Sequence, residues 1–428
     1  MLTSLLWRPA RPAPPIRTYY LLNSCSTLFF VLFSTLSLVY MATTVGLDPL
    51  QMVLVGTVLE AVCFLFEIPT GIVSDLYSRR LSIIIGFTLI GAGFFLQGLI
   101  PSFVAVLLAQ VLWGIGYTFT SGSIEAWITD EIGADVVAPV FTRAQQLALA
   151  ATFAGTVVAG AIGLISIRLP MLAAGVGQVA LAGFLLIVMP ERNFTRTPLA
   201  ERETFRHMGR SFLDGLASMR RRPVVRSFFA ISLIGGLSSE AFDRLWTVRI
   251  LDDFGFPDFL GTDSAVLWFS IFGLIGTVVS LVASVLVNRV SPARVNSLHP
   301  NGLLALLSAF QVAGILGLAL LGNLWLALAA MWLQAAAAAI AWPVQAAWLN
   351  RNVDSRIRAT TLSMNGQANA LGQVIGGPPL GGLADRTSVG TALVTSAVIL
   401  APTAWIYARL RPPAADVAPP ADAVGQLS

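Results

Sequence analysis

The sequence has no lysine, few charges and few of the side chains on which soluble enzymes rely. Of its 428 residues, 11% are charged and 56% are hydrophobic, and all 26 basic residues are arginine. An average soluble domain has about 25% charged residues, so the composition argues against a soluble globular protein. A P-loop needs a lysine to hold nucleotide phosphates, so an ATP-driven pump built on that motif is excluded within this chain.

The histidines and cysteines are too few and too scattered for a metal centre or a catalytic triad. His207 and His299 lie far apart, and Cys25 and Cys63 lie inside apolar runs. Neither pair has the spacing of metal ligands or of a nucleophile and its base. We therefore predict no enzyme activity, no metal and no cofactor. The pI of about 9.5 indicates arginine-rich loops at a membrane rather than nucleic-acid binding.

Long apolar runs separated by short charged clusters indicate a polytopic helical membrane protein. A bilayer span needs about 20 mostly apolar residues. Twelve segments meet this requirement: 18–41, 49–73, 81–100, 102–128, 141–165, 171–189, 225–250, 264–287, 301–321, 323–349, 358–383 and 389–408. The first is expected to be a retained span rather than a cleaved signal peptide, because eleven more spans follow it.

The arginines predict the orientation of the spans. With the N-terminus in the cytoplasm, 22 of the 26 arginines fall on the cytoplasmic side. Arginine is enriched in cytoplasmic loops, so both termini are expected in the cytoplasm. The other four are Arg168, Arg244, Arg249 and Arg386. We expect an integral protein of a bacterial cytoplasmic (inner) membrane.

A basic linker over residues 191–224 divides the spans into six and six. The predicted units are a bundle over 1–190, this linker, a second bundle over 225–410 and a disordered cytoplasmic tail over 411–428. Apolar residues recur at helical spacing in the linker, which indicates an amphipathic helix on the membrane surface, with a plain linker as the alternative. They are Phe205, Met208, Phe212, Leu216 and Met219.

The connection between the second and third spans carries a recognisable motif. It reads Gly71-Ile-Val-Ser-Asp75-Leu-Tyr-Ser78-Arg79-Arg80. This loop resembles the signature loop of the major facilitator superfamily, in which a glycine is followed four residues later by aspartate and then by Gly-Arg-Arg or Gly-Arg-Lys. Ser78 stands where that family usually has glycine.

The resemblance covers roughly residues 18–410 and implies a fold. An all-α membrane protein is expected, with 12 transmembrane helices in two pseudo-symmetric six-helix bundles, the fold of that superfamily. Secondary transporters with this fold work by alternating access about a site near the bilayer midplane. The resemblance is strongest to drug:proton antiporter-type members.

The motif residues are expected to act as a conformational latch at the cytoplasmic surface. The resemblance implies that Asp75 meets the N-terminus of the eleventh span, where free N–H groups favour a carboxylate. It also implies that Arg79 pairs with Asp130 or Glu131 at the end of the fourth span. The alternative for Arg79 and Arg80 is simple anchoring on the cytoplasmic side.

Ionisable residues inside two spans are candidates for proton coupling, because such residues are costly in a bilayer and usually functional. Glu60 and Glu67 lie seven residues apart, close to one face of the second span. In the seventh span, Glu240 and Arg244 are four apart and can pair, which leaves Asp243 as a surplus acid. The alternatives are protonated glutamates hydrogen-bonded to neighbouring helices and a self-satisfied structural pair.

The eleventh span carries a polar stripe at Asn365, Asn369 and Gln373, followed by Gly376-Gly377-Pro-Pro-Leu-Gly381-Gly382. The stripe must face another helix or the cavity rather than lipid. The glycine-proline segment resembles the Gly-Pro-x-x-Gly-Gly motif of the family's antiporters. That motif normally lies in the fifth span, so its support for antiport is reduced here.

Polar and aromatic residues on four spans that line the cavity in that family, together with Asn369 of the stripe, are candidates for substrate contact. Aromatic residues with few fixed charges suit a bulky, lipophilic ligand, although tryptophan in a membrane helix is often a packing residue. The candidates are Asn23, Gln110, Trp113, Trp246, Gln334, Trp342, Gln345 and Asn369.

The expected function is secondary active transport, with proton-coupled efflux of a lipophilic small molecule as the main hypothesis. Proton-coupled uptake of a metabolite by symport is the alternative within transport. A membrane sensor or receptor without transport activity is the alternative from another class. The expected partners are a small-molecule substrate, protons or another driving ion, and the lipid bilayer, with the protein as a monomer.

Overall fold

Helices joined by short connections make up nearly all of the described chain. The structure, a computed structural model, describes residues 12–194, 223–259, 264–290, 300–351 and 358–410. Within these ranges, twelve long helices follow one another: α1 (Pro15–Val45), α2 (Pro49–Leu76), α3 (Arg79–Leu99), α4 (Phe103–Ile132), α5 (Val137–Gly163), α6 (Leu169–Val188), α7 (Pro223–Asp253), α8 (Ala265–Val290), α9 (Asn301–Leu320), α10 (Leu324–Arg351), α11 (Arg358–Arg386) and α12 (Val389–Arg409).

The twelve helices correspond one to one with the predicted spans, so the predicted fold class is confirmed. Ten of these described helices are long and apolar enough to cross a membrane, which indicates an integral membrane protein. The other two are α7 and α11, which carry the charged and polar residues noted above. The predicted amphipathic helix of the linker and the predicted tail lie outside the described residues.

Short polar side chains begin several of the helices. Asp48 caps α2 by accepting the backbone N–H of Gln51 at 2.7 Å, and the side chain of Gln51 accepts the N–H of Asp48 in return. Ser102 accepts an N–H of the first turn of α4 in the same way. Such caps satisfy backbone donors that have no partner within the helix, so the sequence itself fixes where these helices start.

Glycines allow the helices of the first half to approach closely. On α3, Gly91 faces Gly175 of α6, and a methyl group on either residue would lie 2.7 Å from the carbonyl oxygen of the other. Gly86 of α3 and Gly116 of α4 meet in a similar way. Small residues at such crossings permit backbone contact between membrane helices. Helix α3 is therefore held between α4 and α6.

Aromatic side chains fill the core of each half. In the first half, Phe33 of α1 stacks on Phe94 of α3 with ring centres 3.7 Å apart. In the second half, Phe228 of α7 meets the edge of Trp348 of α10 at 5.2 Å. Phe33, Phe94, Phe228 and Trp348 are buried. An edge-on aromatic pair such as Phe228 and Trp348 adds stabilisation beyond the apolar area it buries.

The two halves meet mainly along α2, which packs against α11 and α7, and along α8, which packs against α5 and α1. We call the end of the bundle at the α2–α3 connection, residues 76–79, the basic end. We call the opposite end, at the α1–α2 connection, residues 45–49, the far end. These contacts place the charged residues of α2 and α7 at the junction of the halves.

Replacing Gly175 with alanine is expected to destabilise the first half. The added methyl group would lie 2.6 Å from the backbone nitrogen of Phe95, so α3 and α6 would have to move apart. Overpacking of this kind costs about 1–3 kcal/mol. Thermal unfolding of the purified protein should show a clear fall in melting temperature for Gly175→Ala.

Gly183 is the matched control, because it lies on the same helix and a methyl group there meets no atom within 4 Å. Gly183→Ala should leave the melting temperature unchanged or raise it slightly, since alanine favours helix. Equal destabilisation by the two substitutions would show that the close α3–α6 crossing does not limit stability.

Candidate functional site

The α2–α3 connection is joined to α4 by ion pairs. Nη1 of Arg79 lies 3.2 Å from Oδ2 of Asp130, and Nη2 of Arg79 lies 3.9 Å from Oδ1 of Asp75. The Asp75 side chain is 63% exposed, so its share of the pairing is screened by solvent. A methyl group on Gly71 would meet no atom within 4 Å. These described contacts join helices of the first half, and the expected contact of Asp75 with the start of α11 stays a prediction.

Ser78 has a role that a glycine at this position could not fill. Its φ of −174° is extended backbone, so the turn does not require glycine. The Ser78 hydroxyl donates to Oε2 of Glu191 at 2.6 Å and accepts the N–H of Leu81 at 3.0 Å. Oε1 of Glu191 accepts the N–H of Arg80 at 2.9 Å. The departure from the family motif is therefore matched by an acidic partner at the end of α6.

Arg80 lies beneath this contact and is fully buried. Its Nη2 donates to the carbonyl oxygen of Leu186 near the C-terminus of α6 at 2.5 Å. A guanidinium at a helix C-terminus interacts favourably with the free carbonyls and the helix dipole. Arg80 thus ties the start of α3 to the end of α6.

Two further contacts fix the beginning of the linker at the basic end. The indole N–H of Trp127 donates to the carbonyl oxygen of Pro190 at 2.6 Å. Oε1 of Glu131 accepts the backbone N–H groups of Arg192 and Asn193 at 2.6 and 3.0 Å. The chain that leaves α6 is therefore held by α4 as well as by the motif loop.

A cluster of charges lies where α7 meets α2. The Nε of Arg244 donates to Oε1 of Glu240 at 3.0 Å, and the Glu240 side chain is only 1% exposed. A methyl group on Gly56 of α2 would overlap both Oε1 of Glu240 and Nε of Arg244. Glu60 lies one helical turn from Gly56 and interacts electrostatically with Glu240 and Arg244. The charge cluster, which we define as Glu60, Glu240, Asp243 and Arg244, therefore spans the two halves.

The charge cluster holds three carboxyl groups and one guanidinium. If all four were ionised, its net charge would be −2 at the contact between two helices of the bundle, where Glu240 is almost fully buried. Uncompensated charge is costly there, so a proton or a cationic ligand would be attracted to it. Asp243 is the exposed member and borders a cavity.

A second link between the halves lies nearer the basic end. The side-chain amide of Gln367 on α11 donates to Oε2 of Glu67 on α2 at 3.0 Å. Hydrogen bonds to a charged acceptor are stronger than neutral ones, particularly away from water. Glu67 therefore contributes to the α2–α11 contact rather than to the charge cluster.

The cavity beside Asp243 has a volume of about 460 Å³ and lies within the second half of the chain. It is bordered by α7, α9, α10, α11 and α12. Of the residues proposed from the sequence, five line it: Asp243, Gln334, Trp342, Gln345 and Asn369.

Two of the other candidates lie in polar contacts between helices of the first half. Nδ2 of Asn23 donates to the carbonyl oxygen of Ala144 on α5 at 3.2 Å. Gln110 is buried, and its Nε2 donates to Oε1 of Gln97 on α3 at 3.0 Å. Neither residue is among those that line the cavity.

The remaining two candidates pack against aromatic rings. Trp113 meets the edge of Phe94 with ring centres 5.4 Å apart, and Trp246 lies 5.3 Å from Phe269 of α8. Both tryptophans are partly buried against the apolar core. Their surroundings in this structure are those of packing residues.

The polar stripe of α11 connects that helix to α7. The Ser232 hydroxyl donates to Oδ1 of Asn365 at 2.8 Å, and Nδ2 of Asn369 donates to the Ser232 carbonyl oxygen at 3.2 Å. Nε2 of Gln373 donates to Oδ1 of Asn369 at 2.8 Å. Asn365 and Asn369 thus form one wall of the cavity while holding two helices together.

Several cavity residues were not identified from the sequence. Ser308 and Gln311 of α9 and Thr403 and Tyr407 of α12 line the cavity. Ser308 and Thr403 share a hydroxyl–hydroxyl hydrogen bond of 2.5 Å. The helical spacing of Ser308 and Gln311 in an apolar span was the available signal, but it does not say which neighbour that face meets.

Removing the carboxylate of Glu191 is expected to loosen the motif loop. In Glu191→Ala, the Ser78 hydroxyl and the Arg80 N–H both lose their acceptor, and an unsatisfied buried donor costs about 1–3 kcal/mol. Thermal unfolding of the purified protein should show a fall in melting temperature. The control is Glu125→Ala on α4, which also lies at the basic end but has an exposed side chain. A similar fall in both variants would contradict the assigned role.

Comparison with known proteins gives a family match over most of the chain. The family model described as Major Facilitator Superfamily matches residues 20–322. An uncharacterized MFS-type transporter of Bacillus subtilis (strain 168), YxaM, is 24% identical over 395 residues, which are 89% of this chain and 92% of YxaM.

Solved structures share the fold at low sequence identity. The nucleoside transporter NupG superposes with a TM-score of 0.69 at 17% identity, over 92% of this chain and 98% of NupG. A POT family transporter solved in complex with 5-aminolevulinic acid gives a TM-score of 0.69 at 13% identity, over 94% of this chain and 98% of its own.

Proposed function

This chain belongs to the Major Facilitator Superfamily and is a secondary transporter rather than an enzyme, and we propose that it exports a lipophilic small molecule in exchange for protons. The proposed location is a bacterial cytoplasmic membrane, with the basic end in the cytoplasm. The excess of arginine at that end supports this orientation. The proposed working unit is a monomer.

The arrangement of the helices supports alternating access. The halves touch along α2–α11 and α5–α8, with a polar link between Glu67 and Gln367. Rocking the two halves about a central site requires contacts that break and re-form. A small number of polar links between otherwise apolar helices suits such a motion, because each link contributes only modestly inside a membrane.

The observation that carries the coupling proposal is the position of the charge cluster on the α2–α7 contact. Asp243 borders the cavity and interacts electrostatically with Glu240 and Arg244 of its own helix and with Glu60 of α2. Adding a proton to this cluster changes the charge balance at the junction of the halves. Protonation would thereby change the relative stability of the two conformations, which is what proton coupling requires.

The motif loop is proposed to stabilise the basic end while the halves move. Arg79, Asp75 and Asp130 hold α2, α3 and α4 together, and Glu191 adds the end of α6. A rigid end of the first half would move as one body. Asp75 remains the residue proposed to reach across to α11.

Uptake of a polar metabolite by symport is the second candidate. The cavity is bordered by carboxamides and hydroxyls as well as apolar side chains, which also suits a hydrophilic solute. The related structures include a nucleoside transporter and a transporter holding 5-aminolevulinic acid. The direction of transport distinguishes export in exchange for protons from uptake by symport.

Transport assays in everted membrane vesicles are expected to show export. A panel of lipophilic compounds and polar metabolites is supplied outside vesicles that are acidified inside. Export against protons predicts accumulation of a lipophilic compound inside, abolished by a protonophore. Accumulation of a polar metabolite in right-side-out vesicles, with no lipophilic compound moved in everted ones, would favour symport instead.

Neutralising the coupling residues is expected to abolish proton-driven transport while leaving downhill exchange of substrate. In Asp243→Asn and Glu60→Gln, downhill exchange should continue while proton-driven accumulation and its pH dependence are lost, because these side chains no longer bind a proton. The measurement is substrate-induced proton movement in proteoliposomes. Asp258→Asn, at an exposed residue outside the helices, serves as the control. Unaltered pH dependence in both variants would show that coupling lies elsewhere.

A further inference from the structure

Seven polar side chains that line the cavity make no hydrogen bond to another residue in the described part of the chain. Four of them carry a carboxylate or a carboxamide, namely Asp243 of α7, Gln311 of α9, and Gln334 and Gln345 of α10, and the other three are Ser239, Trp342 and Tyr407. By contrast, Asn369 and Ser308 of the same lining are already hydrogen-bonded to neighbouring helices. Polar groups within a membrane protein normally find partners, so an uncommitted set around one cavity indicates a ligand.

We propose that this cavity binds an amphiphilic organic cation: a molecule with one protonated amine, an apolar part and at least one further amide or hydroxyl group. The inference rests on the proposed transport function and names the substrate class of the same protein. The amine is paired with the Asp243 carboxylate. The carboxamides of Gln311, Gln334 and Gln345 form hydrogen bonds with the additional amide or hydroxyl groups of the ligand.

The charge of the cavity lining supports a cation and disfavours an anion. Among the lining residues in the described ranges, Asp243 is the one acidic side chain and none is basic. The nearest guanidinium, that of Arg244, is bound to Glu240 on the α2 side. An anionic ligand would enter without a counter-charge, which is costly where water is scarce. A protonated amine meets the Asp243 carboxylate, which forms no direct ion pair in the described part of the chain because Arg244 pairs with Glu240.

The rest of the lining indicates that the cation also carries an apolar or aromatic part. Trp342 borders the cavity with 75% of its surface exposed, and Phe242 and Ile315 contribute apolar wall. The face of a tryptophan attracts cations and stacks on flat rings. A volume of about 460 Å³ lies in the range of small-molecule sites.

The position of the site has a consequence for how it works. All of its lining residues belong to α7 and α9–α12, so the second half alone supplies the cavity walls described here. The ligand would remain attached to one half while the other half moves. Asp243 belongs both to the cavity lining and to the charge cluster, so the charge of a bound ligand would act on the α2–α7 contact through this residue.

The test is binding of matched amines to the purified full-length protein in lipid nanodiscs, by calorimetry and without any ion gradient. Each protonated amine of a panel is compared with its neutral N-acetyl derivative and with the corresponding carboxylate. Tyramine, N-acetyltyramine and para-hydroxyphenylpropionate form the first set. We expect the cation to bind at least about tenfold more tightly than the neutral compound, and the anion not to bind, because a protonated amine forms a charge-assisted hydrogen bond with Asp243 that the other two compounds lack.

Variants identify the residues responsible. Asp243→Asn should remove the preference for the cation, whereas Asp258→Asn should retain it. Gln345→Leu should weaken tyramine more than phenethylamine, which lacks the hydroxyl group. If no amine of the panel binds more tightly than its neutral derivative, or if Asp243→Asn keeps the preference, the proposal is wrong.

Binding and flux, measured on the same purified protein, distinguish this proposal from the transport proposal. Cation-selective binding that depends on Asp243, without flux in proteoliposomes, would reject transport and retain the site. Proton-driven flux of lipophilic compounds, without any charge preference in binding, would retain transport and reject the site. Retained melting temperatures in Asp243→Asn and Gln345→Leu would show that the changes in binding do not result from loss of folding.

Discussion

The contact of the Glu240–Arg244 pair with Gly56 is the constraint on which the junction of the halves depends. An ion pair of two long side chains can be buried against a neighbouring helix only where that helix has no side chain, and α2 provides the space at Gly56. The same close approach brings Glu60 into electrostatic contact with α7. Moving α2 away from α7 would expose a charged pair that is now buried, so the conformation of the protein and the charge state of this cluster are linked.

The two halves use polar residues differently. In the first half, buried amide groups donate hydrogen bonds between helices: Gln110 donates to Gln97 and Gln97 donates to Ser37, although Oε1 of Gln110 has no partner in the described part of the chain. In the second half, Gln334 and Gln345 face a cavity. Polar side chains that hydrogen-bond to a neighbouring helix make a bundle more rigid. Polar side chains without such a partner are available to bind a ligand. The first half is thus suited to serve as a scaffold, and the second half to change its contacts.

The sequence was sufficient for the spans because ten of the twelve described helices are long apolar runs, and the bilayer imposes their length. The resemblance to the family implied a partner for Arg79 at the end of the fourth span, either Asp130 or Glu131, and the ion pair is formed with Asp130. Glu191 could not be found in this way, because its contact with Ser78 depends on how α6 returns to the start of α3. Gln311 and Thr403 were missed because hydrophobic spacing shows which residues share a face, but not which helix that face meets.

A single carboxylate explains why the charge cluster and the cavity lie side by side. Asp243 belongs to the cluster through its neighbours Glu240 and Arg244 and to the cavity through its exposure. In the proposed mechanism, a cation and a proton would each neutralise this carboxylate, so each would exclude the other. Because ligand and proton would then act on the same α2–α7 contact, either one would stabilise a conformation of the halves, and no separate path between the substrate and the driving ion would be needed.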